Sequence, residues 1–172
     1  MGNPSFALPS LEKLTQSSHQ IIAIISNPPK PMGRKRILNH TDVGEFALRK
    51  HIDLIELDSF DNNEVYKKIV SLNADIFVVV AYRILPEKYI SIPKLGSINL
   101  HASLLPKYRG AAPIQWALMN GDKTTGVSVF QIEKMVDTGK IIIQKTIDID
   151  KNDNYEIMSK KLSTIDAKAL IE

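Results

Sequence analysis

Two apolar runs restrict the possible folds of this chain more than any other feature. Residues 20–26 read QIIAIIS and residues 75–82 read DIFVVVAY, with almost no polar residue between the branched ones. A strand exposed on one face alternates apolar and polar residues, whereas a strand in a parallel sheet covered by helices on both sides is apolar throughout. These runs therefore predict buried parallel strands rather than an exposed antiparallel sheet.

Amphipathic segments separate the apolar runs, so the chain alternates between predicted strands and predicted helices. The predicted strands are residues 20–26, 52–57, 75–82, 96–101, 124–133 and 139–149. The predicted helices are residues 9–17, 41–50, 62–73, 86–90, 113–121 and 151–172. This alternation predicts an α/β domain with a mainly parallel sheet. Ligands of such sheets bind beyond the carboxyl ends of the strands.

Length and composition bound the function classes. The 172 residues predict one domain, and a net charge of +3 is weak support for a polyanionic partner. Cysteine is absent, which excludes disulfides and thiolate metal sites. We find no secretory signal, and the apolar runs fall short of the ~20 residues that a membrane span needs. The sequence therefore predicts a cytoplasmic protein without a membrane partner.

The best candidate for a reaction centre lies at the end of the predicted strand 96–101. Asn99 and His101 are two residues apart, so in a strand their side chains project from the same face. An amide donor beside an imidazole is suited to stabilise a developing oxyanion and to move a proton. A strand end with satisfied polar groups explains the same pattern without any chemistry, and the residues alone favour that explanation.

Asp137 and the basic segment 27–40 are further candidates. Asp137 lies in KMVDTGK between two predicted strands, where it is either an ordinary turn residue or a carboxylate that returns to the mouth of the sheet. Segment 27–40 is predicted to be a proline-rich loop that concentrates Lys30 and residues 34–36 (Arg-Lys-Arg). Such a charge run is either a solvated surface or a contact for phosphates.

Several familiar site motifs are absent from the sequence. It contains neither GxGxxG nor GxxxxGK[ST], so neither a dinucleotide site nor a P-loop is indicated. It contains no HExxH, and its histidines lack the spacing of metal ligands, so no metal is predicted.

Taken together, NLHASLLPKYRGAAPI and TGVSVFQIEKMVDTG closely resemble the catalytic domains of the folate-dependent formyltransferases. AAPI and the basic segment PPKPMGRKRIL favour the branch that acts on methionyl-tRNA. The resemblance covers nearly the whole chain. It implies a doubly wound, Rossmann-like sheet, 10-formyltetrahydrofolate as formyl donor, and initiator methionyl-tRNA as the acceptor that supports translation initiation.

The resemblance also assigns roles to individual residues. Asn99, His101 and Asp137 match the catalytic trio of the family. The residues that match its folate-contacting segments are Arg83, Ile84, Leu85, Ser103, Leu104, Leu105 and Pro106. Arg34 matches an arginine that reads the tRNA acceptor stem, and we expect Lys35 and Arg36 to join it.

The chain is expected to depart from the family pattern in two ways, and three alternative functions remain open. Residues 1–172 are expected to be a catalytic domain without its usual first strand and without the C-terminal tRNA-binding barrel, and to be monomeric. The alternatives are formyl transfer to a sugar-nucleotide amine, hydrolysis of the same folate, and folate or tRNA binding without catalysis.

Overall fold

The computed structural model of the chain describes residues 1–33 and 36–172. Its strands are β1 (Ile24–Ser26), β2 (Lys30–Met32), β3 (Ile37–Asn39), β4 (Leu54–Glu56), β5 (Phe77–Val80), β6 (Ser97–His101), β7 (Thr124–Gln131) and β8 (Ile141–Asp148). Its α-helices are α1 (Leu8–Thr15), α2 (Asp42–Arg49), α3 (Asn63–Ser71), α4 (Glu87–Ile90), α5 (Pro113–Met119) and α6 (Tyr155–Ile171).

The helices begin where the sequence offers a cap or a proline. The side chains of Thr41, Asn62 and Asn154 each accept a hydrogen bond from a backbone amide in the first turn of α2, α3 and α6. Such caps satisfy amides that have no partner within the helix. Pro113 is the first residue of α5, a position where the missing N–H costs nothing.

The sheet combines parallel and antiparallel pairs. β1 pairs with β4 and β5 pairs with β6, both parallel, whereas β7 runs antiparallel to β6 and to β8. Helices cover both faces, because one buried cluster contains Phe46 and Met158 from α2 and α6, and a second contains Ile69 and Tyr89 from α3 and α4. The expected α/β fold with parallel strands is confirmed, and the antiparallel strands lie at one edge.

The first two residues connect the β1–β4 pair to the larger sheet. Gly2 N donates to Ile25 O at 3.1 Å, and Val80 N donates to Met1 O at 2.9 Å. A parallel bridge between Gly2 and Val80 completes the connection. Met1 and Gly2 thus lie between β1 and β5.

An apolar cavity of about 490 Å³ extends from Met1 between the residues that precede β1 and those that precede β5. The Met1 ammonium donates to Val78 O at 2.6 Å, and its burial lowers its pKa to about 5. Residues 20–23 line this cavity instead of pairing with a strand, which explains why β1 is shorter than predicted.

Segment 27–40 differs from the prediction. It was expected to be a loop, but β2 and β3 form an antiparallel hairpin in which Lys30 faces Asn39 and Pro31 faces Leu38. In a two-stranded hairpin both strands are edges, so the missing N–H of a proline is tolerated. Proline content alone was therefore a poor reason to exclude strands. Of the helices within residues 1–33 and 36–172, none is both long and apolar enough to cross a membrane.

Candidate active site

Strand β6 carries the amide and the imidazole to the carboxyl end of the parallel strands. Within β6, Asn99 lies opposite Val79 of β5 and opposite Phe130 of β7. The His101 side chain is nearly buried, and its ring meets that of Phe130 edge-on, with 6.4 Å between the ring centroids. Because side chains alternate along a strand, Asn99 and His101 project from the same face of β6.

The loop between β7 and β8 returns Asp137 to this strand end. Asp137 Oδ2 lies 3.6 Å from His101 Nδ1, and the two side chains are 13% and 8% exposed. The loop can fold back so closely because residue 139 is glycine: a Cβ there would lie only 1.7 Å from the carbonyl oxygen of Gln131. The structure therefore brings together an imidazole and a carboxylate that lie far apart in the sequence.

Each member of this pair has a second, backbone partner. Gly110 N donates a hydrogen bond to Asp137 Oδ2 at 2.7 Å. The Nε2 atom of His101 lies 2.8 Å from the carbonyl oxygen of Tyr108. A side chain held from two sides loses little further freedom during a reaction, so the pair is preorganised.

A small cavity of about 90 Å³ opens beside the pair. Asn99 and Asp137 line it, together with the predicted folate-contacting residues Arg83, Ile84 and Leu85. Its lining also includes the apolar side chains of Ile84 and Met135, which are 72% and 70% exposed. Exposed apolar groups next to preorganised polar groups are typical of a ligand site.

Arg83 has a structural role that the sequence did not indicate. Its guanidinium donates to the carbonyl oxygens of Leu57 and Asp58 at 2.6 and 2.9 Å, and it lies 4.5 Å from the ring centroid of Phe60. Arg83 also donates to the hydroxyl of Tyr82, whose pKa is raised by burial. The arginine thus ties the chain after β4 to the chain after β5.

The segment from Ser103 to Pro106 does not line the cavity of about 90 Å³. Ser103 and Leu105 are buried, Leu104 is half-buried, and Pro106 is exposed. The Ser103 hydroxyl donates to the carbonyl oxygen of Lys107 at 2.6 Å. In this structure Ser103 and Leu105 point into the protein, and their contact with folate stays a prediction.

A buried polar network that the sequence reasoning missed fixes this segment. Ser128 Oγ donates to Ser103 O at 2.6 Å and accepts from Leu105 N at 3.0 Å. Gln144 Nε2 donates to Ser128 Oγ at 2.8 Å and to Leu105 O at 3.0 Å. The available signal was the serine within the apolar strand TGVSVF, since a buried hydroxyl needs partners.

Of the predicted tRNA-contacting residues, the structure describes only Arg36, which directly precedes β3. Arg34 and Lys35 fall outside the described residues. Arg36 is exposed, and its φ of 49° lies in the left-handed region. Across the described ranges, we find no cluster of three or more histidine or acidic side chains that is arranged to hold a metal ion.

The fold and the site define a class of protein: an α/β protein with a ligand cleft at the carboxyl ends of its parallel strands. The sequence pattern of the family described as "Formyl transferase" matches residues 1–172. The chain therefore belongs to the formyl transferase family.

The chain is also similar to curated proteins named methionyl-tRNA formyltransferase. The methionyl-tRNA formyltransferase of Thermodesulfovibrio yellowstonii is 46% identical over 172 residues, which cover 99% of this chain and 56% of the relative. That of Caldicellulosiruptor saccharolyticus is 45% identical over 175 residues, which cover 100% of this chain and 56% of the relative. The chain thus spans 56% of the length of these relatives.

Solved structures share the fold at low sequence identity. A phosphoribosylglycinamide formyltransferase from Bacillus halodurans superposes with a TM-score of 0.79 at 23% identity, covering 99% of this chain and 90% of that one. A formyltetrahydrofolate deformylase from Pseudomonas syringae pv. tomato gives 0.76 at 24% identity, covering 98% of this chain and 56% of that one. At this identity the likeness concerns the fold alone.

Proposed function

We propose that this chain contains the catalytic centre for transfer of a formyl group from 10-formyltetrahydrofolate to the α-amine of initiator methionyl-tRNA. The observation that carries the proposal is the approach of Asp137 Oδ2 to His101 Nδ1 beside the cavity that Asn99 lines. The names of the curated relatives support methionyl-tRNA as the acceptor. The product would be formylmethionyl-tRNA, which supports translation initiation. The protein would act in the cytoplasm as a monomer.

The cleft suits a folate-derived donor. Ile84, Met135 and Val136 expose apolar surface at its mouth, on which a flat heteroaromatic ring can stack. Asn99 and Asp137 supply polar groups in the cavity itself. A reactive carbon held between these two regions would lie next to the His101–Asp137 pair.

The reaction needs one new bond, one broken bond and one proton transfer. The amine nitrogen bonds to the formyl carbon, and the carbonyl electron pair moves onto the formyl oxygen. That pair then re-forms the carbonyl, the bond from the formyl carbon to N10 of the folate breaks, and the proton lost by the amine ends on N10. The protein must therefore stabilise an oxyanion and move a proton.

The residues of the site match these two tasks. Asn99 has an amide N–H that can donate to the oxyanion, and a preorganised donor of this kind lowers the barrier by about 2.7–4 kcal/mol. His101 in its protonated form would supply a second donor through Nδ1. Asp137 would hold the imidazole and accept the amine proton before it passes to N10.

Recognition of tRNA would involve the β2–β3 hairpin. Lys30 and Arg36 are exposed there, and Arg34 and Lys35 lie between them in the sequence. Cations on an exposed hairpin can pair with phosphates of the acceptor stem. These contacts would position the tRNA, whereas the cleft would carry out the chemistry.

An acceptor comparison tests this proposal. The purified chain is incubated with 10-formyltetrahydrofolate and methionine-charged initiator tRNA, with glycinamide ribonucleotide, or with buffer alone. We expect formylmethionyl-tRNA as the main product. Formylation of the ribonucleotide alone would indicate a sugar-nucleotide acceptor, and release of formate alone would indicate hydrolysis. Binding of folate or tRNA without any product would indicate a non-catalytic domain, and each of these results contradicts the proposal.

A further inference from the structure

The loop that follows Pro106 contacts both members of the candidate catalytic pair. The carbonyl oxygen of Tyr108 lies 2.8 Å from His101 Nε2, and Gly110 N donates to Asp137 Oδ2 at 2.7 Å. Tyr108 and Gly110 are only two residues apart. A shift of this loop would therefore disturb the imidazole and the carboxylate together.

The contact with Tyr108 determines which nitrogen of His101 is free. A backbone carbonyl can only accept a hydrogen bond, so Nε2 must carry a proton whether the ring is neutral or charged. Nδ1, which lies 3.6 Å from Asp137 Oδ2, is then the nitrogen that is left for chemistry. In the neutral ring Nδ1 is a base, and in the charged ring it is a donor.

The side chain of Tyr108 is anchored to the end of α5. Its hydroxyl donates to Asp122 Oδ2 at 2.8 Å and accepts from Asn120 Nδ2 at 2.9 Å. Lys107 Nζ lies 3.4 Å from the same oxygen of Asp122, whose side chain is 19% exposed. Two hydrogen bonds to its hydroxyl therefore hold the Tyr108 side chain at the end of α5.

The backbone of Tyr108 needs such an anchor. Its φ is 55°, in the left-handed region that is uncommon for a residue other than glycine or asparagine. Residues in this region persist only when surrounding contacts hold them there. The hydroxyl contacts at Asp122 and Asn120 supply this restraint, and the result is a carbonyl that points at His101.

We propose that Tyr108 and Asp122 are positioning residues. Their hydrogen bond holds the loop so that the Tyr108 carbonyl fixes the His101 ring with Nδ1 toward Asp137. The link between the ring orientation and formyl transfer rests on the proposed function. The orientation itself rests only on the hydrogen bonds of Tyr108. Tyr108 and Asp122 need not touch the formyl donor or the amine, and they act through His101.

Two readouts test the proposal in the full chain: the ring nitrogen NMR signals of His101, and the single-turnover rate of formyl transfer. The variants are Tyr108→Phe, which removes only the hydroxyl, and Asp122→Ala, which removes its acceptor. Asp122→Asn keeps an acceptor oxygen and serves as the conservative rescue. Tyr155→Phe is the matched control, since Tyr155 is an exposed tyrosine at the start of α6.

We expect the NMR signals of the parent chain to show His101 protonated at Nε2. In Tyr108→Phe and Asp122→Ala, the neutral ring should become a mixture of tautomers, and the rate should fall on the order of 10- to 100-fold, as for a catalytic group held out of place. Asp122→Asn and Tyr155→Phe should keep the parent signals, and both should retain most of the rate.

Three results would overturn the positioning role. The first is an unchanged tautomer in Tyr108→Phe, even if the rate falls. The second is a changed tautomer without loss of rate, and the third is no rescue by Asp122→Asn. If the parent chain transfers no formyl group, the proposed function is wrong. The NMR signals of the His101 ring nitrogens then decide by themselves whether Tyr108 and Asp122 orient the ring. If Tyr108→Phe does not fold, the two Asp122 variants give the same decision.

Discussion

Asp137 Oδ2 lies 3.6 Å from His101 Nδ1, and the same oxygen accepts a hydrogen bond from Gly110 N. The carboxylate is therefore held by backbone on one side and faces the imidazole on the other. This geometry suits a carboxylate that orients a ring and exchanges a proton with a nearby amine.

Replacement of Asn99 by alanine should slow formyl transfer more than it weakens donor binding. Asn99 lines the cavity beside Asp137, and its amide is the donor that we assign to the oxyanion. Loss of one such donor typically lowers kcat by about 10²–10³. Steady-state kinetics should show this fall with little change in the KM for the formyl donor. A large rise in KM at unchanged kcat would contradict the assignment.

Replacement of Ser128 by alanine should destabilise the chain. Ser128 is fully buried, and without its hydroxyl Leu105 N loses its hydrogen-bond acceptor. An unsatisfied buried group costs about 1–3 kcal/mol, and each kcal/mol lowers Tm by about 2–4 °C in a chain of this size. Thermal melts should show a lower Tm for Ser128→Ala than for the parent chain. Ser91→Ala serves as control, since Ser91 is exposed on the surface. Equal melting of both variants would contradict the prediction.

Replacement of Asp166 by asparagine should change how stability depends on pH. Asp166 on α6 is fully buried, no hydrogen bond to it is found in the described parts of the chain, and burial raises its pKa well above the usual 3.8. The folded state therefore keeps a proton that the unfolded chain releases, so this group lowers stability as pH rises above its unfolded pKa.

Denaturant unfolding of the parent and of Asp166→Asn from pH 3.5 to 8 measures the effect. The stability of the parent relative to the variant should fall as the pH rises through this range. The Met1 amine has the opposite effect on stability. Because burial lowers its pKa to about 5, its contribution to the free energy of unfolding rises between pH 5 and 8. It is present in both chains and cancels in the difference. A difference that is independent of pH would contradict the prediction.

Alanine at residues 34–36 should weaken tRNA binding and reduce its dependence on salt. If these cations contact phosphates, each lost contact removes released counterions and flattens the slope of log K against log [salt] by about 0.7–0.9. Titrations at several salt concentrations measure this slope. Alanine at Lys67, an exposed lysine on α3 that pairs with Glu64, serves as control. An unchanged slope in the 34–36 variant would show that the segment does not contact the tRNA backbone.

The sequence predicted the strands and helices best where one pattern dominated. DIFVVVAY predicted β5 through its unbroken run of apolar residues, and GSINLH predicted β6 through its alternation of apolar and polar residues. The β2–β3 hairpin was missed because its prolines and charges are typical of a loop. The short β1 was overestimated, since the length of a strand depends on its partners rather than on its own residues.

For the candidate site too, the sequence predicted the local features and not those that depend on how distant segments fold together. Period-two geometry put Asn99 and His101 on one face, which is a local property of a strand. The approach of Asp137 depends on how the β7–β8 loop folds back. The residues alone left it as one of two interpretations, and the resemblance favoured it. The contact of the Tyr108 carbonyl with His101 had no sequence signal, because it involves a backbone group that every residue shares. For Ser128 the signal was a serine within an apolar strand, which does not identify its partners.

The role of Asp137 in the chemistry is the central claim, and Asp137→Asn tests it most directly. The amide keeps the size of the carboxylate but can neither take up the amine proton nor pair with a charged imidazole. The measurement is the single-turnover rate of formylation of methionine-charged initiator tRNA, together with the affinity for 10-formyltetrahydrofolate. We predict a rate lower by about 10²–10⁴, the range of general acid–base catalysis, at nearly unchanged folate affinity. A near-normal rate at unchanged folate affinity would contradict the account.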